Sequence, residues 1–207
     1  MNTPDELSPA PGRFARREFL KGSGAAAAAS AIATGGGLVA EAAQRKRRIA
    51  AGPQTITLNV NGRDHRVEVE PRMTLLEVLR YRLNLTGAKP VSSDGTSGAS
   101  TVLVAGKPVS ASTTMVMKCI GKPIRMVESL GGGRLDPVPA AFIKHDASQC
   151  GFCTPGFVVA VRAFLDKNPH ATEEQIRNGL NGNICRCGTY ANILPAVIEL
   201  AKGGRNA

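Results

Sequence analysis

The sequence predicts an α+β protein: a small sheet crossed by one helix, followed by a helical segment. Three observations lead to this prediction. They are alternating stretches joined by Asn61-Gly62, an early helix-capping pair, and helical spacing after Gly131-Gly132-Gly133. Apolar residues make up 43% of the 207 residues, so a core can be buried. Aromatic residues make up only 4%, which disfavours a base-stacking platform for single-stranded nucleic acid.

The first half of the predicted sheet is a hairpin. Residues 54–60 alternate and are rich in β-branched side chains, and residues 63–69 alternate again as the return strand. Asn61-Gly62 between them is a strong signal for a two-residue turn.

A helix and further strands follow the hairpin. Thr74 and Glu77 form a capping box that predicts a helix from Leu75 to about Leu83. A loop rich in glycine and serine is predicted over residues 86–100. Two strands are predicted after it, over residues 101–104 and about 124–127. This order of elements predicts a β-grasp (ubiquitin-like) domain over residues 54–130.

The three glycines are predicted to link this domain to a second one over residues 134–203. A second capping box, Thr172 with Gln175, lies within it. Four helices are predicted in it, over about 138–146, 156–167, 173–181 and 190–203.

Four of the five cysteines fall in two tight groups, Cys150-Gly-Phe-Cys153 and Cys185-Arg-Cys187. Such grouping is typical of metal ligands, and soft sulfur selects iron–sulfur clusters, zinc or copper(I). Each group precedes a predicted helix, whose N-terminal amides favour anionic thiolates. The one-residue gap between Cys185 and Cys187 is poor for structural zinc and strains a disulfide between its own members. The residues favour an iron–sulfur cluster, with zinc and disulfides as alternatives.

A second set of positions has ligand spacing without sulfur: Ser92, Ser97, Ser100 and Ser112. The first three repeat the Cys-x4-Cys-x2-Cys spacing of plant-type ferredoxins. A hydroxyl is far less acidic than a thiol, whose pKa is about 8.5, so we expect no cluster here. We expect these hydroxyls to hydrogen-bond one another and nearby backbone. Cys119 lies outside the spacing and is expected to be a buried free thiol.

The first 43 residues are predicted to be an export signal. Arg16-Arg17 is followed by Phe19-Leu20-Lys21 and a weakly apolar run, with a cleavage site near Ala40-Glu41-Ala42. The pattern is similar to a bacterial twin-arginine signal, which exports folded proteins to the periplasm. A membrane anchor is the alternative, although Ser, Thr and Gly dilute the apolar run. Residues 44–53 are expected to be a basic linker.

The two cysteine motifs point to a known family. Gln149-Cys-Gly-Phe-Cys-Thr-Pro-Gly156 and Gly182-Asn-Ile-Cys-Arg-Cys-Gly-Thr-Tyr190 resemble the iron–sulfur subunit of molybdenum hydroxylases, the xanthine dehydrogenase and aldehyde oxidoreductase family. The second motif is most similar to small subunits of the isoquinoline 1-oxidoreductase kind. The resemblance covers about residues 54–203. It implies a β-grasp ferredoxin-like domain, a four-helix [2Fe–2S]-binding domain, and a separate large subunit that carries the molybdopterin cofactor.

The resemblance also implies residue roles. Cys150, Cys153, Cys185 and Cys187 would ligate the cluster nearer the molybdenum, and Gln149 and Cys187 would lie close to the pterin. In the family the first domain reads approximately Gly-Cys-x4-Cys-Gly-Ala-Cys-Thr-Val, where this chain has serines. Pro90 and Val91 depart as well, which favours natural loss of the ligands over deliberate replacement. One [2Fe–2S] cluster is therefore the expected cofactor.

The implied function is electron transfer from the molybdopterin subunit, through one cluster, to an external acceptor such as a cytochrome. An assembly and export scaffold for the large subunit, or a stand-alone ferredoxin, are the alternatives. We find no candidate acid, base or nucleophile, and His65, His145 and His170 show no ligand spacing, so no substrate site is expected on this chain.

The net charge of +10 bears on the partners. It fits a solvated basic surface or an acidic protein partner. It does not indicate nucleic acid, because the basic residues are scattered apart from Arg45-Lys-Arg-Arg48.

Overall fold

The computed structural model describes residues 51–203. The predicted signal, residues 1–43, and most of the predicted linker, 44–53, lie outside the described residues. Within the described part, no helix is both long and apolar enough to cross a membrane.

The N-terminal part contains a five-stranded mixed sheet. Its strands are β1 (Gln54–Val60), β2 (Arg63–Val69), β3 (Thr101–Val104), β4 (Lys107–Ser110) and β5 (Ile124–Arg125). They are ordered β2-β1-β5-β3-β4, with β5 parallel to β1 and antiparallel to β3. The predicted hairpin is confirmed: Asn61 and Gly62 both have positive φ, 53° and 78°, as a type I′ turn requires. Strand β4 was not predicted, because it contains Pro108 and a single β-branched residue, Val109.

The predicted capping box at Thr74 is confirmed. Its Oγ1 accepts from the amide of Glu77 at 3.2 Å, and the Glu77 carboxylate accepts from the amide of Thr74 at 2.7 Å. The box opens α1 (Leu75–Glu77), which continues as a π-helical turn over Val78–Arg82. The prediction of a regular helix to about Leu83 is therefore only partly right.

Arg80 lies in the π-helical turn and hydrogen-bonds the backbone of the following loop. The Arg80 guanidinium donates to the carbonyl oxygens of Thr86, at 2.7 Å, and Ala88, at 2.8 Å. These bonds tie the helix to the segment that leads into the serine-rich loop.

Four helices form the C-terminal part, as predicted. They are α2 (Pro137–Lys144), α3 (Thr154–Lys167), α4 (Glu173–Gly179) and α5 (Tyr190–Lys202). Helix α3 begins earlier than predicted because Pro155 fits its first turn. The second capping box is confirmed, with the Thr172 side chain accepting from the Gln175 amide at 3.3 Å.

The sheet and the helices have separate hydrophobic cores. The sheet core includes Leu58, Leu75 and Ile124, all fully buried, and the helical core is built around residues such as Phe157 and Ile193. A small third cluster of Leu103, Val159 and Ala163 joins β3 to α3. The structure thus confirms an α+β protein with a β-grasp, ferredoxin-like part and a four-helix part.

The chain passes between the two cores near Leu130. This side chain precedes the three glycines yet packs into the helical core. The domain boundaries at 54–130 and 134–203 stay predictions.

Candidate metal centre

The four grouped cysteines converge next to the N-terminal ends of two helices. Cys153 is the N-cap residue of α3, and Cys150 lies three residues earlier in a turn that contains Gly151 with φ of 83°. Cys185 and Cys187 lie in the connection between α4 and α5. Helices α3 and α5 bring 14 and 13 aligned peptide dipoles, whose positive ends favour thiolate and sulfide charge.

The thiols lie in two pairs. Cys150 lies close enough to Cys187, and Cys153 to Cys185, for each thiol to shift the pKa of its partner. Cys153 and Cys185 are only 8% and 6% exposed, whereas Cys150 and Cys187 are exposed. All five cysteines of the chain, these four and Cys119, are free thiols. The site is therefore enclosed on one side and open to solvent on the other.

The pKa values differ within each pair. Burial raises the pKa of Cys153 to about 12, and the hydrogen bond to Cys185 adds to this effect. Burial also acts to raise the pKa of Cys185, but hydrogen bonds from Thr189 and others outweigh it and lower that pKa to about 7. In the exposed pair, the backbone amide two residues on, followed by the Cys187 thiol, lowers the pKa of Cys150. The hydrogen bond to Cys150 raises the pKa of Cys187.

This donor set fits a [2Fe–2S] cluster. Such a cluster is held by four cysteine thiolates on two irons, and two convergent thiol pairs supply them. A single tetrahedral zinc needs its ligands around one point, at about 2.3 Å for sulfur. Among the described residues, no three or more His, Cys, Asp or Glu side chains are grouped closely enough to hold one ion. Two thiol pairs, one for each iron, match the ligand set of a [2Fe–2S] cluster.

Exposed apolar residues lie next to the cysteines in the sequence. Three apolar residues of the two cysteine motifs are exposed: Phe152 in the first motif at 55%, and Ile184 and Tyr190 in the second at 52% and 38%. Gln149, which precedes Cys150, is also exposed. Exposed apolar groups concentrated beside polar ones mark an interaction surface.

Two residues beside the cysteines were not predicted to contribute. The Oγ1 atom of Thr189 lies 3.0 Å from Cys185 Sγ. The Tyr190 hydroxyl oxygen accepts from the Cys185 amide at 2.8 Å, and its ring packs edge-on against Phe157 with centroids 5.9 Å apart. Their position within the second motif was the only signal, because neither residue type is itself a usual iron ligand.

The serines at the second set of positions hydrogen-bond one another, as predicted. The hydroxyls of Ser92 and Ser97 are 2.7 Å apart, and the Ser97 amide donates to Ser92 Oγ at 3.0 Å. Ser100 contacts Ser110 and Ser112, each at 3.1 Å, and the latter two are 3.0 Å apart. Ser110 was missed by the sequence analysis. It lies two residues before Ser112 at the end of β4, a spacing that can place both side chains on one side of the chain.

The serine loop packs directly on the cysteine site. The Ser97 carbonyl accepts from the Ile184 amide at 3.0 Å, and the Gly98 carbonyl accepts from the buried Asn183 side chain at 2.9 Å. A Cβ added to Gly156 of α3 would overlap the Gly98 carbonyl oxygen and lie 3.0 Å from Ala99 Cα. The two sets of positions therefore share one tightly packed boundary.

The remaining predictions concern isolated side chains. Cys119 is buried, at 1% exposure, as predicted, and burial raises its pKa. His145 Nε2 lies 2.7 Å from Glu199 Oε2, and Lys144 Nζ lies 2.6 Å from the other oxygen of this carboxylate. His145 thus has a carboxylate partner that lies 54 residues away in the sequence.

The comparisons with known proteins agree with this site. Residues 126–198 match the [2Fe-2S] binding domain family. The chain is 41% identical over 162 residues to the aldehyde oxidoreductase iron-sulfur-binding subunit PaoA of Escherichia coli, covering 70% of this chain and 71% of the relative. It is 42% identical over 144 residues to the nicotine 6-hydroxylase small subunit of Paenarthrobacter nicotinovorans, covering 70% and 87%.

Solved structures give the same result. Quinoline 2-oxidoreductase from Pseudomonas putida 86 superposes with a TM-score of 0.70 at 34% identity, covering 75% of this chain and 98% of that chain. Aldehyde oxidoreductase from Desulfovibrio desulfuricans gives a TM-score of 0.68 at 39% identity, covering 72% of this chain and 17% of that chain.

The fold and the thiol site together define a two-part iron–sulfur protein, with a ferredoxin-like sheet and a helical [2Fe–2S] binding domain. The chain belongs to the iron–sulfur (small) subunits of molybdenum hydroxylases. It is thus a subunit of an oxidoreductase.

Proposed function

We propose that this chain is the electron-transfer subunit of a molybdenum-dependent hydroxylase or aldehyde oxidoreductase and holds one [2Fe–2S] cluster. Cys150, Cys153, Cys185 and Cys187 are its ligands. The observation that carries the proposal is their convergence as two thiol pairs at helix N-terminal ends. When bound, such a cluster takes up and releases one electron.

The exposed side of the site faces the catalytic partner, a large subunit that carries the molybdopterin cofactor. Cys150 and Cys187 are exposed there beside Gln149, and Phe152 and Ile184 supply apolar contact area. Docking of the partner would remove the apolar side chains of Phe152 and Ile184 from water, which favours association. Gln149 and Cys187 then lie nearest the pterin.

The ferredoxin-like domain holds no cluster in this proposal. Its four serines offer neutral hydroxyls, which cannot replace soft anionic thiolates. Hydrogen bonds within the two serine groups satisfy these hydroxyls without a metal. The domain serves as a scaffold whose loop supports Ile184, next to Cys185.

The electron acceptor is external and acidic, with a cytochrome as one example. Residues 54–130 contain ten lysines and arginines against six aspartates and glutamates, whereas residues 134–203 contain seven against six. Such an excess attracts and orients an acidic partner at low salt.

Export in the folded state places this subunit in the periplasm, carried by the predicted twin-arginine signal in residues 1–43. The same signal gives the chain a second role, as carrier for a large subunit without a signal of its own. Deleting residues 1–43 and locating the partner tests this role. A partner that is still exported contradicts it.

Metal analysis and EPR of the purified complex test the main proposal. We expect about two irons and two labile sulfides on this chain and one [2Fe–2S] signal upon reduction. Two distinct signals from this chain, or none, would overturn the proposal. Zinc in place of iron would also overturn it.

A further inference from the structure

Thr189 holds a helix N-cap position without capping the helix. Two other N-cap threonines, Thr74 and Thr172, each accept from the backbone amide three residues on, within a capping box. Thr189 precedes α5 and makes no side-chain capping bond. Its hydroxyl lies instead 3.0 Å from Cys185 Sγ. The usual stabilising use of an N-cap threonine is thus replaced by a contact to sulfur.

The chemistry of a bound ligand sets the direction of this hydrogen bond. A cysteine that binds a metal does so as a thiolate, which has no proton to donate. The Thr189 hydroxyl must then be the donor, to Cys185 Sγ. Because Cys185 is only 6% exposed, water competes weakly for this sulfur.

A neighbouring residue holds this geometry. The Cys185 amide donates to the Tyr190 oxygen at 2.8 Å, and the Tyr190 ring packs against Phe157 of α3. This anchoring positions the Cys185 backbone relative to the start of α5, and hence relative to Thr189.

We propose that the Thr189 hydroxyl, by donating to Cys185 Sγ, raises the reduction potential of the iron–sulfur centre. The inference rests on the proposed function, because it requires Cys185 to be a ligand. Reduction by one electron makes and breaks no bond at this residue and adds negative charge that the sulfurs share. An O–H donor stabilises that charge more in the reduced state than in the oxidised state.

Redox titration of the assembled complex, with dithionite as reductant and EPR as readout, tests the proposal. Thr189→Val keeps the shape and removes the hydroxyl, whereas Thr189→Ser keeps the hydroxyl. At a fixed potential we expect roughly a tenfold lower ratio of reduced to oxidised centre in the valine variant, which is about 59 mV for a one-electron couple. The serine variant should titrate like the wild type.

Thr172→Val is the matched control. It removes an N-cap hydroxyl that caps α4, so it should lower thermal stability and leave the midpoint potential unchanged.

Two results would overturn the proposal: an unchanged midpoint in an iron-loaded Thr189→Val complex, or an equal fall in the valine and serine variants. If the valine variant does not retain iron, Thr189→Ala replaces it. Loss of iron in both, with a normal serine variant, would assign Thr189 to assembly and also overturn the tuning role. A wild-type complex without a [2Fe–2S] signal would instead refute the proposed function, so the two failures are distinguishable.

Discussion

Changing Ser92, Ser97, Ser100 and Ser112 together to cysteine should create a second cluster in the ferredoxin-like domain. The side chains already lie in two pairs, with oxygens 2.7 Å apart in the first and 3.1 Å in the second. Two sulfurs on one tetrahedral iron lie about 3.8 Å apart, given a metal–sulfur distance of about 2.3 Å. Each pair must therefore widen by roughly 1 Å, part of which the longer carbon–sulfur bonds supply.

Iron and labile sulfide analysis measures the outcome. Each should rise from about two to about four atoms per chain, with a second [2Fe–2S] signal in the EPR spectrum. A matched control carries cysteine at Ser92, Ser97 and Ser100 but keeps Ser112, because three thiolates do not complete the four-cysteine ligand set of a [2Fe–2S] cluster. This control should stay near two irons.

Two results would refute this reasoning. Four irons in the wild-type chain would show that the serines already support a cluster. A folded quadruple cysteine variant that stays at two irons would show that the loop no longer has ligand geometry, although its hydrogen-bonded pairs remain.

Three further predictions follow from the same structure. Cys185→Ser should abolish the iron content, whereas Cys119→Ala, which removes the buried thiol outside the site, should leave it unchanged by metal analysis. Gly156→Ala should lower the free energy of unfolding by about 1–2 kcal/mol in urea, because overpacking against Gly98 costs about 1–3 kcal/mol and alanine recovers up to about 1 kcal/mol of helix propensity. Gly132→Ala is the control, because a Cβ added to Gly132 would have no atom within 4 Å, and it should not lower the free energy of unfolding. Hydrogen bonds from Lys144 and then from His145 hold the pKa of Glu199 below its ordinary value of 4.5. The ionised carboxylate therefore stabilises the fold above pH 4.5, and this contribution is lost as the pH falls through the lowered pKa. The stability deficit of Glu199→Gln should therefore be present above about pH 4.5 and shrink below it; a deficit that persists at acid pH contradicts the assignment.

Much of the fold could be predicted from local patterns. The hairpin at Asn61-Gly62 and both capping boxes depend on residues a few positions apart, so the sequence contains the whole interaction. Strand β4 was missed because Pro108 interrupts its pattern and Val109 is its one β-branched residue, so it becomes a strand by pairing with β3. The π-helical turn before Leu83 was missed for a similar reason, since the helical spacing of side chains does not distinguish it from a regular helix.

The cysteine motifs identify the family from the sequence alone, and the serines at the second set of positions predict a single cluster. The sequence is enough for this inference, because the residue type decides which donor atoms are present and the sequence itself contains the spacing of the ligands. Tertiary structure alone decided the pairing of Cys150 with Cys187, the inclusion of Ser110 in the hydroxyl group, and the approach of Thr189 to Cys185. The physical reason is that hydrogen bonds act over about 3 Å, and only the packing of α3, α4 and α5 and the sheet brings these atoms within that range.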